Sequence, residues 1–157
     1  MRPSLSLLRR LSRPTLGGVV LGLLVSCGPA DPESFQHLKW EYGGGPCTEE
    51  MDCSGWDEVR ADGTFRVDRF SDPGGAVRET VLPAEEMQRV REAATRAELL
   101  GVLWRGEAPC GRVTDSSSVL SLELEGASFR AQLAGCDEPG VNELRTLLKR
   151  LRDTYAP

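Results

Sequence analysis

The sequence predicts an α+β domain: an antiparallel sheet of about five to six strands with two helices on one face. Three observations carry this. Apolar residues alternate with polar ones at Leu38, Trp40 and Tyr42, at Leu120, Leu122 and Leu124, and at Phe129, Ala131 and Leu133, the period of a half-buried strand. Asp62-Gly63 and Glu125-Gly126 supply turns between such segments. Two other stretches carry the helical period instead, and helices covering one face of a sheet satisfy both patterns.

Taken in order, ordered structure begins near Phe35, and the first strand ends at the run Gly43-Gly44-Gly45-Pro46. Trp56 to Ala61 and Thr64 to Phe70 flank Asp62-Gly63 as a hairpin, with Phe65 and Val67 on one face. Ser71-Asp72-Pro73-Gly74-Gly75 turns the chain into Ala76 to Leu82, where Val77 and Val81 share one side. Pro83 opens a helix whose first turn carries Glu85 and Glu86, matched to the positive end of the helix dipole. Met87, Val90, Ala94 and Ala97 give that helix its apolar face as far as Leu100-Gly101, and Val102, Leu103 and Trp104 are expected to tuck its exit into the core. After a polar loop come the hairpin Val119 to Leu124 and Ala127 to Ala134. A closing helix follows, with Val141, Leu144, Leu147, Leu148 and Leu151 on one stripe.

The N-terminal segment reads differently. Arg2, Arg9, Arg10 and Arg13 form a basic stretch without an acid, followed by the short apolar run Leu16 to Val25. That run is about half of the ~20 residues a spanning helix needs. It has the form of a secretory signal. Leu24-Val25-Ser26-Cys27 resembles the lipobox of bacterial lipoproteins. The resemblance implies that residues 1–26 are a leader, that Cys27 is acylated and becomes the new N-terminus, and that residues 27–34 tether a single domain, 35–157, to a membrane. Gly28, rather than an aspartate, after the cysteine implies the outer membrane of the bacterial envelope.

The whole chain carries a net charge of −5. Loss of the four leader arginines makes the remaining domain more acidic still, which disfavours nucleic acid as a partner. With Cys27 assigned to lipid, Cys47, Cys53, Cys110 and Cys136 remain, an even set in an exported domain and therefore a disulfide framework. Three pairings are open. Spacing favours Cys47–Cys53, which closes a small ring, and Cys110–Cys136, which flanks the second hairpin.

No catalytic, cofactor or metal constellation is legible. His37 is the single histidine and has no nucleophile motif beside it. Glu49, Glu50 and Asp52 lack a calcium-loop spacing. The chain is therefore expected to be a non-enzymatic binding domain, with Trp56 and Trp40 as candidate interface residues and an envelope or secreted protein as partner. A small hydrolase using paired carboxylates is the alternative, since acids are plentiful and their separations are not fixed by sequence.

The order from Ala61-Asp62-Gly63-Thr64, through Leu82-Pro83-Ala84-Glu85-Glu86 and its helix, to the Leu120–Leu133 hairpin and final helix resembles the emfourin family, small bacterial inhibitors of thermolysin-like metalloproteases, and is similar to uncharacterised exported domains that share this order. The resemblance covers roughly residues 35–155. It implies a protease as the partner but assigns no inhibitory residue.

Overall fold

The main-chain donors and acceptors of a strand need a neighbouring strand, and a meander provides one. The computed structural model describes residues 30–45, 53–111 and 115–157. Strands β1 (Phe35–Gly44), β2 (Ser54–Arg60), β3 (Thr64–Arg69) and β4 (Arg78–Val81) pair in sequence order. The second hairpin, β5 (Ser116–Leu124) and β6 (Ala127–Gln132), returns to the free edge of β1. The result is a six-stranded antiparallel sheet in the order β4-β3-β2-β1-β5-β6. The β2–β3 turn forms as its residues dictate: Gly63 takes a φ of 87°, and Asp62 Oδ1 accepts the Thr64 N–H at 2.9 Å.

The inner face follows from cross-strand register. Leu38 sits opposite Val59 and Leu122, and Trp40 sits opposite Asp57 and Leu120. Phe65 and Val67 continue that face across β3. Phe35 and Leu38 are both buried although three residues apart, because the register against β5 shifts between Phe35 and His37 and Gln36 is bulged out. These residues form one apolar cluster with Met87, Val90, Leu99, Leu103, Val141, Leu144, Leu148 and Leu151 of the helices.

Among the described residues three helices rather than two supply that cover: α1 (Ala84–Ala94), α2 (Ala97–Leu103) and α3 (Pro139–Tyr155). The expected single helix breaks at Thr95, whose hydroxyl donates to the Arg91 carbonyl at 2.7 Å while Arg96 turns extended. The break resets the helical phase. Ala97 is exposed as a result, and Leu99, Leu100, Val102 and Leu103 carry the buried side of α2. Trp104 departs from expectation as well: it lies 72% exposed beyond the end of α2, edge-on to Phe129 at 5.0 Å between ring centroids. The fourth strand also differs. Val77 and Val81 are exposed, and Arg78 and Thr80 stand opposite Val67 and Phe65.

Across the helix layer, Arg150 of α3 grips the buried Glu86 of α1, with one guanidinium nitrogen 2.8 Å from Oε1 and the other on Oε2. Arg150's hydrogen bonds, outweighing the upward push of burial, hold the Glu86 carboxyl below its usual range.

Candidate functional site

The two tryptophans expected at an interface lie on opposite faces of the sheet. Trp40 points into the core and is only 4% exposed, so it is not a surface residue. Trp56 stands opposite Glu41 on the outer face and is half-buried. Period-two alternation places His37, Lys39 and Glu41 of β1 on that same face, with Arg60, Glu58 and Trp56 opposite them on β2. Arg66 and Asp68 of β3 extend it. This face, free of helices among the described residues, is the candidate site.

Trp56 lies between two cations. The Lys39 ammonium is 5.1 Å from its ring centroid and the Arg66 guanidinium carbon 5.7 Å. Each is steadied from behind. Lys39 binds Glu41 at 2.9 Å, and Arg66 reaches Glu58 Oε2 and Glu79 Oε2, both at 3.2 Å. Glu58 is the hub: it also meets His37 Nε2 at 3.0 Å and Arg60 Nη2 at 3.1 Å, and only 8% of the residue is exposed. The carboxylates of Glu41, Glu58 and Glu79 thus come paired with cations.

Burial pushes the Glu58 carboxyl upward, but hydrogen bonds from His37 and Arg60 and the charge of Arg60 prevail, so it ionises below its ordinary value of 4.5. The unfolded chain therefore binds that proton more tightly than the folded one. Stability from Glu58 is complete above about pH 4.5 and is lost as pH falls through its folded value. Urea midpoints measured between pH 7 and pH 3 are expected to fall more steeply for the wild type than for Glu58→Gln.

On the other side of the sheet, a concavity of about 240 Å³ opens between α3 and the inner face beside Trp40, Tyr42 and Asp57. Its own cations fill the aromatic surfaces. Arg145 lies 5.7 Å from the Trp40 ring, and Arg152 lies 4.8 Å from the Tyr42 ring and 3.7 Å from Asp57 Oδ2.

The Cys110–Cys136 disulfide is formed, with a Cα separation of 5.2 Å. Cys53 is disulfide-bonded too; Cys47, its expected partner, lies outside the described residues, as do Cys27 and the acidic Glu49, Glu50 and Asp52. Among the described residues no helix is long and apolar enough to cross a membrane, and no group of three or more His, Cys, Asp or Glu side chains is arranged to hold a metal. The sequence singles out Trp56 by residue type but not Lys39, Glu58 and Arg66 around it, which cross-strand register brings together. Neither a protein-family model nor a curated protein matches the sequence.

Proposed function

We propose that this chain is a lipid-anchored protein of the bacterial envelope, held by acylated Cys27, whose domain acts as a non-enzymatic binding module in the manner of an emfourin-like protease inhibitor. The observation that carries this reading is Trp56, braced between Lys39 and Arg66 on a sheet face that no helix among the described residues covers. An amphipathic ring held rigid by its neighbours loses little side-chain entropy on binding, which is why such residues anchor interfaces. The ion pairs around it fix the face in one arrangement before a partner arrives. The sequence order of strands, helix, hairpin and helix, which resembles that of emfourins, suggests the partner class, a thermolysin-like metalloprotease.

The test is titration of a thermolysin-like metalloprotease with the full chain, following hydrolysis of a peptide substrate. Inhibition that reaches its end point near one equivalent is expected. Undiminished hydrolysis at a tenfold excess of the chain contradicts the inhibitor assignment.

A further inference from the structure

An edge strand presents a row of main-chain groups that pair with another strand unless something covers them. β6 is such an edge. Leu133 donates its N–H toward β5, to the Ser118 carbonyl at 2.6 Å. By antiparallel alternation Ser128, Arg130 and Gln132 turn theirs outward. The Gln132 N–H is taken by the Glu107 carbonyl at 2.7 Å. Among the described residues no backbone group reaches the N–H of Ser128 or Arg130. Beside this open stretch stand the exposed Trp104 and, packed edge-on against it, the half-buried Phe129.

We propose that a second copy of this chain covers this edge, its β6 pairing antiparallel with the first about a two-fold axis at Phe129. The register is self-selecting. With the axis at Phe129, Ser128 faces the partner's Arg130 and Arg130 faces the partner's Ser128, each pair exchanging two main-chain hydrogen bonds. An axis at Arg130 would set two guanidinium groups directly opposite each other. An axis at Ser128 would run Arg130 past the end of the opposing strand into the Glu125-Gly126 turn. In the chosen register the second strand ends opposite Ala131. The one outward N–H it does not reach is that of Gln132, which Glu107 already holds. Phe129 then meets the partner's Phe129, and the two Trp104 rings flank them as one aromatic cluster.

The axis runs perpendicular to the sheet, so both copies keep their helices on the same side. Ala30 enters on that side, its N–H on the Thr95 carbonyl at 3.2 Å. With both copies anchored in one bilayer, this arrangement suits the two tethers and turns both Trp56 faces away from the surface; these points and the gain in effective concentration rest on the proposed lipidation. The contact is small, and tethering both copies to one membrane raises their effective concentration.

The experiment is sedimentation equilibrium of the full chain, purified from its membrane in density-matched detergent, over a wide concentration range. Twice the protomer mass is expected at the upper concentrations. Trp104→Ala, which removes an exposed ring, and Arg130→Pro, which removes one outward N–H from an edge strand, are each expected to raise the dissociation constant at least tenfold. A monomer at every concentration overturns the proposal, as does a dimer that either folded variant leaves unaltered. Should Arg130→Pro fail to fold, Trp104→Ala decides the matter.

Discussion

Replacing Cys110 and Cys136 together by alanine is expected to lower the stability of the domain by about 3.5 kcal/mol, the chain-entropy value for a crosslink of this span. The bond closes a loop between residues 26 apart and ties the segment after α2 to the exit of β6. Both ends of that loop are otherwise lightly held. On one side the Gln132 N–H reaches the Glu107 carbonyl; on the other Cys136 donates to the Leu133 carbonyl at 3.1 Å. Cys136 is also a core residue, 3% exposed, so its truncation adds a small loss of apolar contact. Urea unfolding of the oxidised double variant beside the wild type measures the difference. A loss under about 1 kcal/mol would mean that packing and hydrogen bonds hold the loop without the crosslink.

Gly140→Ala is expected to destabilise the domain by about 2–3 kcal/mol, although alanine is the better helix former. Gly140 lies in the first turn of α3, where that helix crosses α2. A Cβ there would fall within 2.9 Å of the Glu98 carbonyl carbon and closer still to the Leu99 nitrogen. Those are backbone atoms at the start of α2, so no side chain can swing aside to relieve the overlap. Gly101, by contrast, has open space where its Cβ would be, so Gly101→Ala within α2 is the control and should be neutral or stabilising. Thermal melts of the two variants give the comparison.

Much of the architecture was legible because it rests on local chemistry. Alternation marked β5 and β6, Asp62-Gly63 marked the first hairpin, and the Val141 to Leu151 stripe marked α3. The second hairpin also carried the disulfide: extending the pairing of Val119 with Gln132 sets residue 136 across from about residue 115, within reach of a loop from Cys110. The helix break was hidden because Thr95 and Arg96 interrupt the apolar pattern no more than polar residues inside a helix do. It shows in the Thr95 hydroxyl bonding back to Arg91 and in the extended backbone of Arg96. That phase reset is what leaves Trp104 outside.

The candidate site was half legible. Trp56 stood out by type, but its face depends on the register of β2 against β1, and their connection is a long segment rather than a two-residue turn. One step of register exchanges the faces of Trp56 and Asp57. The brace of Lys39, Glu58 and Arg66 assembles from three strands, so no sequence window contains it.

The most direct test of the binding-face account compares Trp56→Ala with Trp40→Ala in the full chain, reading thermal stability and metalloprotease inhibition on the same samples. The account predicts that Trp56→Ala melts within a few degrees of the wild type yet loses at least tenfold in inhibition. Trp40→Ala, which opens a cavity in the core, should lose about 3–5 kcal/mol of stability. Full inhibition by a folded Trp56→Ala variant would contradict it, because the outer face would then not be where this domain meets its partner.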